Sequence, residues 1–324
     1  MTQWFKFSEA FMTAPISTSV SRSRTGPWLK ALSLLTVVAY ALAIEYFYGW
    51  GKIFTAWEAV PAWHIALALL LMFFTYAVRG LLIHYYFLPL TRRQLPICLK
   101  IMLLHNMLNN LLPMRSGEAS FPLMMRNYFG LSLTSATAGL FLLRLLDLQV
   151  LLSIGWFAVV VYMGGDWALW LSMPMLFFSP LLLLRCTTWL QRLQTRCAPT
   201  GKLHRLIAKL LAALPRDFMH LVNLWLYTWL GWSTKLAVFT LVMLWFANTD
   251  WRSALGTTLG GELSGMIPIH PPGGLGTYEA SMVGTAKILG IEGDWVLFAG
   301  VQLHLLILLS TLLGGVVAQF IRKK

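Results

Sequence analysis

Three short stretches hold residues able to do chemistry in a chain that otherwise avoids charge. "NNLLPMRSGEASFP" (109–122) closes an apolar run with Pro113 and then presents Arg115, Gly117 and Glu118 together. "FLLRLLDLQV" carries Arg144 and Asp147 three residues apart, on one helix face and able to pair. "GMIPIHPPGGLGTYEA" (265–280) breaks at Pro268, sets Gly273, Gly274 and Gly276 behind Pro271 and Pro272, and ends on Glu279. An arginine fork holds phosphate or carboxylate with two parallel bonds. A glycine-rich break ahead of a helix lets the backbone approach closely and aims N–H groups at an anion. The shared chemistry is recognition of a phosphate-like group, with carboxylates that compensate charge or carry protons.

Each of these readings has a plainer rival. Arg144 and Asp147 can lock two helices as a neutral pair, and the glycines can form a tight turn with no ligand. Glu118 and Glu279 sit where helices start, and acids there suit the dipole. Arg79 in "YAVRGLL" and Lys235 in "STKLAV" read as snorkelling or packing charges. Glu262 and Lys287 complete the set of charges inside apolar stretches. The seven histidines are scattered and make no metal-binding pair, and no nucleophile constellation stands out. His105 with Asn106, Asn109 and Asn110 forms a polar face that can line a headgroup path or satisfy a broken backbone. No metal, cofactor or enzymatic activity is expected.

What must position these groups is legible from composition. Hydrophobic residues make up 58% of the 324, charged ones 11%, and the mean hydropathy is +0.68, which points to a polytopic membrane protein. The net charge of +13 sits between apolar segments, so it fits anionic lipid heads better than nucleic acid. Three cysteines form no CxxC pattern, and the N-terminal stretch lacks the form of a cleavable signal peptide. A spanning helix needs about 20 apolar residues. Six segments qualify, at roughly 28–50, 61–88, 133–163, 168–186, 221–246 and 295–321.

Lys and Arg placement sets the orientation. The N-terminal arm, 89–132, 185–220 and the C-terminus hold 19 of the 25 basic residues, so these regions and both termini are expected to be cytoplasmic. The connectors 51–60, 164–167, 247–252 and 291–294 hold only Lys52 and Arg252 among several acids. Parity then requires 89–132 to dip into the membrane from the inside and 252–294 from the outside. The expected fold is therefore all-α and polytopic, with about six full spans, two oppositely oriented re-entrant hairpins and an inverted repeat, the form in which broken helices line a transport cavity. Residues 1–26 form a cytoplasmic arm and 27–322 a single membrane domain. Within it, 187–220 is a cytoplasmic amphipathic segment, because "LHRLIAKLLAAL" sets its leucines at helical spacing opposite His204, Arg205 and Lys209.

The motifs "LLPMRSGE", "LLRLLD" and "MIPIHPPGGLGTYEA" resemble the membrane region of the lysylphosphatidylglycerol synthase/flippase family, which includes the flippase half of the multiple peptide resistance factor. The resemblance covers about 30–320. It implies site roles for Pro113, Arg115, Gly117, Glu118, Arg144 and Asp147, then for Pro272, Gly273, Gly274, Gly276 and Glu279. The soluble aminoacyl-transfer domain of the two-part members is expected to be missing, so lysyl-lipid synthesis is not implied. Many relatives place another arginine straight after the Gly-Glu pair, whereas here "ASFPLMMR" delays it to Arg126.

The expected activity is flippase-like movement of a phospholipid, or another lipid bearing phosphate, between leaflets of a bacterial inner membrane. Arg115, Glu118, Arg144, Asp147, Gly273, Gly274, Gly276 and Glu279 would bind the headgroup. The cargo would be an anionic or aminoacylated phospholipid, or a polyprenyl-phosphate-linked lipid; nucleic acid is not expected. A homo-oligomer or a membrane-enzyme partner fits the same chain. The alternative is a non-transporting membrane subunit that assists an envelope glycosyltransferase or a lipid-synthesis enzyme.

Overall fold

The structure is a computed structural model that describes residues 27–88, 90–112, 117–163, 167–196, 217–265 and 271–322, with isolated positions between 201 and 215. Arg115 and Pro113, the 1–26 arm and much of the amphipathic stretch within 187–220 lie outside the described residues. Helices α1 (Pro27–Phe47), α2 (Trp50–Ala59) and α3 (Ala62–Tyr86) lead into α4 (Leu95–Leu111) and α5 (Ser120–Phe129). Then follow α6 (Leu133–Met163), α7 (Trp167–Phe177), α8 (Leu182–Arg196) and α9 (Phe218–Phe246). The chain continues through α10 (Trp251–Ser264), α11 (Thr277–Ile288) and α12 (Trp295–Phe320). The protein is an all-α, multi-pass membrane protein.

Five stretches are long and apolar enough to cross a bilayer: Ala62–Tyr86, Leu133–Val161, Trp170–Arg196, Phe218–Phe246 and Trp295–Phe320. At about 1.5 Å per residue, 25 residues reach about 37 Å, more than the ~30 Å of hydrocarbon. The expected span at 28–50 is α1, of which Val38–Phe47 is described as a short apolar helix. The expected span at 168–186 is interrupted. Pro174 and Pro180 remove backbone donors, and a single 3-10 turn (Ser179–Leu181) joins α7 to α8.

Among the helices too short to cross, four form two antiparallel pairs. In the first, α4 starts with Pro96 in its opening turn, where a missing N–H costs nothing, and ends before the Pro113 break. Its partner α5 folds back so that His105 Nδ1 lies 3.2 Å from the Ser120 hydroxyl. Gly117 lies so close to the backbone of Leu108 and Asn109 that a Cβ there would overlap it. In the second pair, α10 is capped by Asp250, whose carboxylate accepts from the N–H groups of Arg252 (2.8 Å) and Ser253 (3.2 Å). Gly256, Gly260 and Gly261 make a small face on α10 against Leu289, Thr285 and Tyr278 of α11, which sets the two helices antiparallel at close range.

Two apolar cores hold this frame. One gathers Met72, Tyr76, Phe239, Val242, Met243, Met282, Leu303 and Leu306, joining α3, α9, α11 and α12. The other gathers Ile83, Ile101, Phe121, Met125, Leu143 and Leu224, joining α3, α4, α5, α6 and α9. The tips of the short pairs meet between these cores. A Cβ on Gly273 would lie 3.5 Å from the Asn110 carbonyl at the end of α4.

Candidate functional site

Near the middle of the long helices, charges that the hydropathy pattern would forbid are arranged in bonded sets. Arg79 of α3 grips Asp147 of α6 with both guanidinium arms, at 2.6 and 2.7 Å. Trp232 of α9 donates its indole N–H to the same carboxylate at 2.9 Å. Asp147 is 1% exposed, so three elements have closed around one buried charge. Of the two expectations for Arg79, snorkelling and packing, this pairing fits packing, since the side chain is 18% exposed and ties α3 to α6. The pairing expected from spacing is present as an ion pair, though it is not the closest contact of either residue. Arg144 stands 3.6 Å from Asp147, beyond hydrogen-bond range, and instead donates to Glu118 at 2.7 Å. The fork of Arg79 wins because it offers two parallel charge-assisted bonds from a facing helix.

A second set lies across the interior. Lys235 of α9 donates to Glu262 of α10 at 2.7 Å, and its ammonium lies 4.7 Å from the ring centre of Trp232. Lys235 is therefore a paired cation within the helix bundle, not a snorkelling one. Tyr278 of α11 reaches Glu262 at 3.4 Å. The third set surrounds Glu279, which accepts from Tyr40 of α1 at 2.5 Å and from the Gly276 N–H at 2.9 Å, and lies 2.7 Å from His304 of α12. The Gly276 N–H that the sequence offers to an anion is thus taken by the chain's own carboxylate. Gly273, Gly274 and Gly276 have φ of 69°, 72° and 82°, which explains glycine at each.

These sets enclose a cavity of about 210 Å³. Arg79, Arg144, Lys235, Asp147 and Glu262 line it, with Asn109, Asn110, Gly273, Gly274, Thr277 and His304. Three cations face two carboxylates on that wall. Glu118, which holds Arg144 from outside the lining, balances the third. The donor capacity left over belongs to the cations. The Nε of Arg144 is buried and has no hydrogen-bond partner among the described residues, and Lys235 uses one of its three N–H bonds on Glu262. An entering anion meets the partly exposed Arg144 guanidinium and the Lys235 ammonium, with the aromatic face of Trp232 beside the ammonium.

Of the residues expected to bind, Arg144, Asp147, Gly273 and Gly274 line the cavity. Glu118 and Glu279 support it from behind, Gly276 holds Glu279, and Arg115 lies outside the described residues. Sequence reasoning named Arg79 and Lys235 without giving them a binding role, and it left His304 among the scattered histidines. The usable signal was a lone ionisable residue in the interior of each apolar helix, which costs roughly 2.5–3.5 kcal/mol unless it is paired. Among the described residues no three His, Cys, Asp or Glu side chains come together as a metal site.

Comparison with known families gives a match over most of the chain. The family described as lysylphosphatidylglycerol synthase TM region matches residues 30–315, nearly the whole described frame. No curated protein and no solved structure matches the chain.

Proposed function

The chain belongs to the lysylphosphatidylglycerol synthase TM region family, and from that premise we propose that it is a flippase-like transporter of lipids with a phosphate-bearing headgroup. The observation that carries this reading is the cavity wall, where the partly exposed Arg144 guanidinium and Lys235 ammonium sit within the helix bundle. Intramembrane cations facing a cavity mark a path for something anionic, since an idle charge there is costly. Arg144 and Lys235 hold the phosphate, Arg79 and Asp147 fix the wall, and the acyl chains stay in the bilayer. The reaction is movement rather than covalent change, so the chain acts as a transporter and not an enzyme.

On this reading the two antiparallel pairs are re-entrant hairpins, the first entering from the cytoplasmic side and the second from the opposite side. They are the halves of an inverted repeat whose tips close the cavity. Both termini are cytoplasmic, the protein sits in the bacterial inner membrane, and the basic segment after α8 lies on anionic lipid heads. Leaflet exchange in proteoliposomes tests the reading, with fluorescent anionic, zwitterionic and lysyl-modified phospholipids compared side by side. Exchange faster than in empty vesicles for at least one phosphate-bearing lipid is expected. No acceleration for any of them would sink the transporter and leave the partner-subunit role.

A further inference from the structure

His304 sits between two acceptors. Its Nε2 is 2.7 Å from the carbonyl oxygen of Gly273, and its Nδ1 is 2.7 Å from Oε1 of Glu279. A carbonyl only accepts, so Nε2 carries a hydrogen. A second hydrogen must lie between Nδ1 and Glu279, on the imidazole or on the carboxyl. A neutral imidazole has one N–H, so the pair holds one proton more than a neutral histidine facing a carboxylate. Both side chains are buried, at 3% and 2% exposure.

Removing that proton leaves no arrangement that keeps both bonds. With the hydrogen on Nε2, the Nδ1 lone pair faces a carboxylate across 2.7 Å. With the hydrogen on Nδ1, the Nε2 lone pair faces the Gly273 carbonyl across the same distance. One contact must open. Gly273 is the middle residue of the Pro272–Gly274 turn in the second hairpin, lines the cavity and packs against Asn110 at the end of α4. Two turns along α12, Thr311 accepts from Asn110 (2.9 Å) and Asn106 (3.4 Å) of the first hairpin. One face of α12 therefore fastens both tips, and only the fastening at His304 depends on a proton.

We infer that His304 and Glu279 form a binding site for one proton that latches the tip of the second hairpin, and that lipid movement is coupled to its binding and release. The coupling rests on the transport reading; the latch does not. The groups facing the pair come from several elements. Tyr40 of α1 bonds Glu279, and the Tyr278 ring of α11 lies 5.0 Å from that of His304. Through its hydroxyl Tyr278 leads on to Glu262 of α10 and Lys235 of α9. The α4 helix presents the amides of Asn106 and Asn110 to α12, and α3 presents Tyr76 to Ser310. Glu279 is the carboxylate that bonds His304.

Nitroxide labels at Leu111→Cys and Ala280→Cys, both exposed positions flanking the two tips, test the latch after Cys98, Cys186 and Cys197 are replaced by Ser. Dipolar spectroscopy then compares the label separation at about pH 5 and about pH 9. The separation is expected to lengthen at the higher pH. Glu279→Gln supplies the decisive comparison. Its amide can donate to Nδ1 and accept from the Gly276 N–H, so the latch closes around a neutral imidazole at every pH. His304→Gln removes the imidazole and should also abolish the response. An unchanged separation in the unsubstituted protein, or a pH response that survives in Glu279→Gln, overturns the latch. Leaflet exchange across the same range should change by up to about tenfold per pH unit and be flat in Glu279→Gln. Exchange that ignores pH overturns the coupling. No exchange at all overturns the transport reading, and the label separations then judge the latch alone.

Discussion

Arg79→Ala is the most demanding test of the buried charge arrangement. The substitution strips both guanidinium bonds, at 2.6 and 2.7 Å, from a carboxylate that is 1% exposed. Removing one partner of a buried pair costs about 3–5 kcal/mol, because the remaining charge is stranded. Asp147 keeps the Trp232 donor at 2.9 Å and the Arg144 charge at 3.6 Å, so the lower end, about 3 kcal/mol, applies. For a chain of this size that is a fall in Tm on the order of 6–12 °C. Arg79→Lys keeps the charge but gives up one of the two parallel bonds, and should fall between. The double variant Arg79→Met with Asp147→Leu removes the buried charges together and should recover most of the loss. Thermal unfolding of purified protein in one detergent, followed by tryptophan fluorescence, reads all three. A fall of less than about 2 °C for Arg79→Ala refutes the reasoning. So does a double variant as unstable as the single one.

Arg144→Ala should weaken binding of an anionic phospholipid about 10- to 100-fold, since hydrogen bonds to charged groups contribute about 1.5–3 kcal/mol; native mass spectrometry of lipid-bound protein reads the loss. Gly117→Ala should destabilise the first hairpin by about 1–3 kcal/mol, because its Cβ would overlap the Leu108–Asn109 backbone, and thermal unfolding reads that. Asp250→Ala should cost about 1 kcal/mol through loss of the α10 cap. The hydroxyl and N–H of Ser253 hold the Asp250 carboxyl below its usual pKa, so the capping contribution is present at neutral pH and lost as pH falls through that lowered value. The gap in Tm between Asp250→Ala and the unsubstituted protein should accordingly narrow in acid.

How much of this was legible in the sequence depends on whether the signal is local. Long apolar runs announce α3, α6, α9 and α12, because the bilayer demands length and dryness from each helix by itself. The proline breaks after α4 and α10 announce two short pairs for the same reason. The Arg144–Asp147 spacing did bring the two side chains near each other, but spacing along one helix says nothing of what a facing helix brings. The ligand that Asp147 prefers is Arg79, on another helix, and Lys235 finds Glu262 in the same way. His304 gave only a weak sign, one histidine inside "VQLHLLILL", because its meaning lies in Gly273 and Glu279 of the facing hairpin. The glycines were readable as positive-φ positions and as a ligand-free tight turn, and Glu279 as an acid at a helix start, yet the Gly276 N–H bond that joins them was not chosen over an open anion site.

The central claim is that a cavity cation moves a phosphate-bearing headgroup, and one paired measurement tests it most directly. Phosphatidylglycerol exchange between leaflets is timed in vesicles that contain the protein, its Arg144→Ala variant, or no protein. The account predicts exchange well above the empty vesicles with the unsubstituted protein, and a fall toward the empty-vesicle rate with Arg144→Ala while its Tm stays close to that of the parent. Equal exchange with and without Arg144 would contradict it, as would exchange no faster than in vesicles without protein.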